Sequence, residues 1–182
     1  MQKLQFSKFI STSKSIENAT DLSLLCFQNT MKILMVCLGN ICRSPMAQGI
    51  LEKEIQRLQL PWSVDSAGTN GYHDGENPDP RAVQTMSSAN WDIASQVSRK
   101  IQRVDLEIYD LILCMDRTVE KDLRRMFEGN SNLDKVKRIM EFALTQNQLE
   151  VEDPYYNNRF KEALQRIELG IEGLVQFYTK QK

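Results

Sequence analysis

From Met31 onward the chain alternates between short apolar runs and amphipathic stretches. Ile33-Leu34-Met35-Val36 is apolar without alternation, the pattern of a strand buried on both faces. Met46, Ala47, Ile50, Ile55 and Leu58 then recur at helical spacing, which predicts a helix that has Pro45 in its first turn and runs to about residue 59. Trp62-Ser63-Val64-Asp65-Ser66 predicts a second strand, ended by Ala67-Gly68. Residues 68–80 are rich in Gly, Asn, Asp and Pro and read as a loop. Asp79-Pro80-Arg81 carries a helix start, with Asp79 as cap and Pro80 at the first position. Tyr109 to Met115 reads as a third, buried strand, and Cys114 within it as a small core residue. Asp116 then caps a charged helix through about Met126. Lys135 to Met140 is a weaker fourth strand. Phe160, Ala163, Leu164, Ile167, Ile171, Leu174, Val175 and Tyr178 draw one apolar stripe, which predicts a long final helix.

Strands that alternate with helices imply a parallel sheet covered on both faces. The predicted fold is α/β: a single domain of three layers, with a central four-stranded parallel sheet, helices on both faces and a phosphate-binding loop after the first strand. Ligands in such folds bind at the carboxyl ends of the strands. Residues 1–30 differ. They are rich in Ser, Thr, Lys and Gln, and their periodicity is weak apart from Leu22-Ser23-Leu24-Leu25-Cys26-Phe27. They lack the continuous apolar stretch of a secretory signal, and with Glu17, Asp21 and no arginine they make a poor mitochondrial presequence. They are expected to be a disordered N-terminal extension, or residues upstream of a true start at Met31, with the domain proper over 31–182.

Composition narrows the class. The 182 residues suffice for one domain with a full core, and 41% hydrophobic with 26% charged residues is ordinary for a soluble globular chain. A formal net charge of -1 gives no basic field for nucleic acid, and no apolar run approaches a membrane span. Cys26, Cys37, Cys42 and Cys114, with the single His73, match no zinc spacing and are too sparse for a disulfide scaffold. No metal is expected, and the cysteine usage fits a reducing, cytoplasmic setting.

The chemistry concentrates in Cys37-Leu38-Gly39-Asn40-Ile41-Cys42-Arg43-Ser44-Pro45. A strand, a tight loop and a helix start make an anion site, because loop amides converge with the positive end of the helix dipole. Five residues between Cys37 and Arg43 can wrap a tetrahedral phosphate. Gly39 allows close approach and unusual torsions, and Asn40 tolerates a left-handed conformation while its side chain fixes neighbouring loop segments. Arg43 offers a planar fork to two phosphate oxygens. The same positive environment favours a Cys37 thiolate, a nucleophile for phosphorus. The Ser44 hydroxyl can donate to that thiolate. Departure of an alkoxide or phenoxide needs a proton, and Asp153 in Glu150-Val151-Glu152-Asp153-Pro154-Tyr155-Tyr156 is the candidate acid. On local sequence alone, Asp153-Pro154 reads first as the cap of the final helix.

Three separated motifs resemble the low-molecular-weight protein tyrosine phosphatase family. They are Val36 to Pro45; Asp65-Ser66-Ala67-Gly68-Thr69 followed by Asn77-Pro78-Asp79-Pro80-Arg81-Ala82; and Glu152 to Tyr156. The resemblance covers residues 31–182. It implies that Cys37 is the nucleophile, Arg43 the phosphate clamp and Asp153 the general acid, with Leu38, Gly39, Asn40, Ile41, Cys42, Ser44 and Ser66 binding phosphate or supporting the loop. It also implies that Tyr72 and Tyr155 wall the substrate groove, with Tyr156 beside them. Cys42 matches a second loop cysteine that can form a reversible disulfide with the nucleophile, although burial statistics allow equally a small residue packed under the loop. The implied partner is a phosphotyrosine-bearing protein, with no cofactor and a monomer or weak homodimer. An arsenate reductase on the same fold would need further cysteines, and after Arg43 only Cys114 remains. A protein-arginine phosphatase would favour threonine at the position of Ile41. A silent phosphopeptide-binding module would need neither nucleophile nor acid.

Overall fold

Four parallel strands form one sheet in the order β2-β1-β3-β4: β1 (Met31–Cys37), β2 (Trp62–Gly68), β3 (Leu111–Cys114) and β4 (Val136–Arg138). The structure, a computed structural model, describes residues 30–143 and 149–180. The extension expected over 1–30 lies outside the described residues, save Thr30. The helices are α1 (Arg43–Leu58), α2 (Pro80–Ser88), α3 (Asp105–Ile108), α4 (Arg117–Met126), α5 (Pro154–Asn157) and α6 (Phe160–Thr179).

The unbroken apolar run of β1 has a direct cause. Ile33 and Met35 pack into a core shared with Met46, Ile50, Ile167 and Ile171 of α1 and α6. Leu34 and Val36 point to the other face, against Leu106, Val119, Leu123 and Phe127. Successive strand residues face opposite sides, so a strand covered on both sides has no polar positions. Burial of each such side chain contributes about 1.5–3 kcal/mol. The three-layer architecture follows. Among the described residues no helix is long and apolar enough to cross a membrane.

Several boundaries depart from the sequence pattern. β2 does not stop at Ser66: Ala67 pairs with Val36 and Gly68 with Cys37. Glycine permits this, because a Cβ at Gly68 would lie 2.9 Å from the Leu38 carbonyl oxygen. β3 begins at Leu111 rather than Tyr109, since Asp110 turns to bond Lys32 through its backbone and its carboxylate. β4 is only three residues long, and Ile139–Glu141 forms a 3₁₀ turn instead of strand, closed by Arg138 on Glu141. Helices α3 and α5 and the 3₁₀ turn Ser131–Lys135 left no signal, because four or five residues show too little of a helical period. Tyr178, read as part of the apolar stripe of α6, is half-exposed and packs edge-on to Trp62.

Candidate active site

The loop after β1 is held by its carbonyls. Those of Cys37 and Leu38 accept from the N–H groups of Thr69 and Asn70, both at 3.0 Å. That of Gly39 accepts from Ser98 Oγ, that of Ile41 from Asp79 N–H and that of Cys42 from Met46 N–H. With the carbonyls bonded away from the loop's concave side, the N–H groups of Gly39, Ile41 and Cys42 have no acceptor among the described residues. They flank the start of α1, so unpaired donors and the helix dipole favour the same anion. Asn40 takes the left-handed conformation, φ 56°, whereas Gly39 does not; the unusual torsion expected of glycine falls on asparagine. The use of Gly39 is close approach, since a Cβ there would meet the His73 ring at 3.1 Å.

Asn40, Ser44 and Ser66 form a buried network behind the loop. Arg99 N–H donates to Asn40 Oδ1, which fixes the amide so that Nδ2 donates to Ser44 Oγ at 3.0 Å and Ser66 Oγ at 2.9 Å. Ser44 Oγ, thus supplied with a donor, gives its own proton to Cys37 Sγ at 3.0 Å. Asn40 N–H also donates to Cys37 Sγ, at 3.2 Å. Cys37 Sγ thus accepts hydrogen bonds from two donors.

Arg43 is the largest fully buried side chain. Nη1 donates to Asp116 Oδ2 and to the Val151 carbonyl, and Nη2 donates to Asp153 Oδ2 at 2.6 Å. Guanidinium has five N–H donors. The two that remain are Nε–H, which is buried without a partner, and the second hydrogen of Nη2. Nε and Nη2 share one edge of the planar group, the edge that matches two oxygens of a phosphate. Burial alone disfavours the Arg43 charge, but Cys37, Asp153 and Asp116 outweigh it and raise its pKa.

One cavity of about 250 Å³ gathers Cys37, Leu38, Gly39, Ile41, Cys42, Arg43, Asp153, Tyr72, Tyr155 and Tyr156. Asn40, Ser44 and Ser66 stand behind it. Asp153 caps α5 by accepting Tyr155 N–H, not the final helix, which starts at Phe160. Cys42 is a buried thiol, its pKa pushed well up by burial and by the neighbouring Cys37. Cys114 is buried in β3 and donates to the Lys137 carbonyl, away from the cavity.

Sequence reasoning missed Asp116 as a partner of Arg43, and His73 and Asn70 as cavity walls. Asp116 carried a usable signal, since it follows the carboxyl end of β3, where side chains of a parallel sheet meet the ligand.

Fold and cavity define a cysteine–arginine anion loop at the carboxyl edge of a parallel α/β sheet. The chain belongs to the low molecular weight phosphotyrosine protein phosphatase family, which matches residues 32–182. A low molecular weight phosphotyrosine protein phosphatase of Pongo abelii is 40% identical over 133 residues, 72% of this chain and 84% of that protein. The low molecular weight protein-tyrosine-phosphatase YfkJ of Bacillus subtilis is 33% identical over 154 residues, 84% of this chain and 98% of its own. The crystal structure of YfkJ superposes with a TM-score of 0.80 over 85% of this chain and 98% of that one. DARP, a Drosophila arginine phosphatase, superposes with a TM-score of 0.78 at 29% identity, over 84% of this chain and 100% of that one.

Proposed function

We propose that the protein hydrolyses phosphotyrosine in protein substrates through a phosphocysteine intermediate. The observation that carries this is the placement of Cys37 Sγ under two donors, in one cavity with Arg43 and Asp153. The Cys37 thiolate attacks phosphorus as the bond to the tyrosine oxygen breaks. The loop amides and the free edge of Arg43 take the equatorial oxygens, whose charge spreads in the transition state. Asp153 gives its proton to the leaving phenolate. Water then attacks phosphorus and passes its proton to Asp153, and Cys37 leaves as a thiolate that receives the Ser44 hydroxyl. Tyr72, Tyr155 and Tyr156 flank the ring of the substrate. A free thiol nucleophile supports a reducing compartment, the cytoplasm, as its setting.

The likeness to DARP favours one second reading, phosphoarginine as substrate. Against it stands Ile41, which lines the cavity with a branched apolar side chain where the arginine-directed members favour threonine. Turnover of phosphotyrosine, phosphoserine, phosphoarginine and arsenate, measured side by side, tests both. A dominant rate on phosphotyrosine is expected. A higher kcat/KM on phosphoarginine, or thioredoxin-dependent arsenate reduction, refutes the proposal.

A further inference from the structure

Arg81 stands outside the cavity, yet it ties together the two segments that must meet for reaction. Its Nε and Nη2 fork onto Asp79, at 3.0 Å to Oδ1 and 2.7 Å to Oδ2. Asp79 in turn donates its backbone N–H to the Ile41 carbonyl at 2.8 Å, so it is fastened to the nucleophile loop. On its other side Arg81 Nη1 donates to Asn158 Oδ1 at 3.1 Å and to the Tyr155 carbonyl at 3.4 Å. The guanidinium lies between two rings, 5.2 Å from the centroid of Tyr155 and 4.9 Å from that of Phe160. Tyr155 is two residues from Asp153, and its N–H fixes that carboxylate. The Arg81 hydrogen bonds hold Asp79 ionised, its pKa lowered.

We propose that Arg81 is a positioning residue for proton transfer, setting the loop of Asp153 and the Tyr155 wall against the Cys37 loop. The proposal rests on Asp153 as general acid. Arg43 reaches that carboxylate by a single Nη2–H bond, from the nitrogen whose second hydrogen is left for phosphate. Arg81 gives the acid loop an anchor that phosphate does not disturb. A planar fork that also stacks between two rings has no equivalent in lysine.

Arg81→Met keeps the stem and removes the fork. Its kcat/KM on phenyl phosphate, whose phenolate is a poor leaving group, should fall roughly tenfold or more, since a small misplacement of an acid is costly. Its kcat/KM on p-nitrophenyl phosphate should fall by less than about threefold, and inhibition by inorganic phosphate should stay unchanged. Arg81→Lys should not restore the phenyl phosphate rate. Asn158→Gly retains the left-handed backbone at φ 62° while removing the Oδ1 acceptor. It should shift the leaving-group dependence in the same direction by a smaller factor, and it serves if Arg81→Met fails to fold. On an Asp153→Asn background, Arg81→Met should cost no further kcat/KM, because residues that act through one another are not additive. Equal losses across both substrates, additive losses in the double variant, or weakened phosphate inhibition each overturn the proposal. If Asp153→Asn keeps its leaving-group dependence in those cases, the phosphatase reading stands and only Arg81 is reassigned. If Asp153→Asn shows none, the assignment of the acid falls and the role of Arg81 falls with it.

Discussion

Replacing Arg43 with Lys keeps a positive charge at the loop and removes the fork. In the parent, three of the five guanidinium donors already serve Asp116, the Val151 carbonyl and Asp153. The two left for phosphate are Nε–H and one Nη2–H. An ammonium has three donors, and those same three protein acceptors consume them all. Each charge-assisted hydrogen bond lost from the transition state costs about 1.5–3 kcal/mol. Two together cost about 3–6 kcal/mol, which is about 10² to 10⁴ in kcat/KM. The assay is kcat/KM on a phosphotyrosine peptide, per mole of protein shown folded by calorimetry. Arg43 stays protonated through neutral pH, its pKa raised by Cys37, Asp153 and Asp116 against the effect of burial. The deficit should therefore be flat from about pH 5 to 8, where neither Arg nor a paired Lys titrates. A variant within about tenfold of the parent would show that the free edge is not used, and a deficit that grows with pH would make lost charge, not lost geometry, the cause.

Cys37→Ser should abolish turnover by at least roughly a thousandfold while inorganic phosphate still binds by calorimetric titration, because the amides and Arg43 persist; near-normal turnover would move the nucleophile, with Cys42 the first suspect. Asp153→Asn should lower kcat/KM more for poor leaving groups than for good ones in a series of aryl phosphates, and equal losses in kcat/KM would overturn Asp153 as the acid. Peroxide should inactivate the enzyme reversibly through a Cys37–Cys42 disulfide seen by mass spectrometry. Closure should quicken as pH rises, since the raised pKa of Cys42 keeps it a thiol near neutrality and the thiolate is the attacking form; absence of the disulfide from recoverable oxidised enzyme would refute this. A chain starting at Met31 should match the full chain in Tm and turnover, because β1 begins at that residue, and a large drop in either would place residues 1–30 against the domain.

The fold and the centre of the site were legible because both are written locally. A strand buried on both faces announces itself as Ile33 to Val36, and the anion loop occupies consecutive positions from Cys37 to Arg43. Asp153 needed more than local sequence, since Asp-Pro reads first as a helix cap. Asp116 was visible only as a cap, because its second partner lies 73 positions away and no periodicity connects them. Arg81 was likewise hidden: its fork to Asp79 is local, but its contacts with Tyr155 and Asn158 cross 74 and 77 positions. The carboxyl end of β2 was misjudged because Gly68 reads as a strand breaker, while its missing Cβ lets the strand approach the loop.

The cap reading and the site reading of these aspartates turn out to describe the same carboxylates. Asp116 accepts Val119 N–H on Oδ1 and Arg43 on Oδ2. Asp153 accepts Tyr155 N–H on Oδ1 and Arg43 on Oδ2. Asp79 accepts Arg81 N–H on Oδ1 and takes the Arg81 fork with both oxygens. A helix start fixes where a capping carboxylate points, because one oxygen must meet a backbone N–H. The other oxygen is then aimed by the backbone rather than by a free rotamer. Arginine side chains carry about 2 kcal/mol of rotamer entropy, and acceptors already held in place reduce what must be ordered when substrate arrives. The loop carbonyls do the same for the amides: those of Cys37, Leu38, Gly39, Ile41 and Cys42 are bonded elsewhere, which leaves the N–H groups of Gly39, Ile41 and Cys42 without an acceptor among the described residues. Donors fixed in advance need no reorganisation as charge develops in the transition state, and that is the condition under which electrostatic stabilisation is largest. A helix as short as α5 buries little apolar surface, yet its start sets the direction of the Asp153 carboxylate.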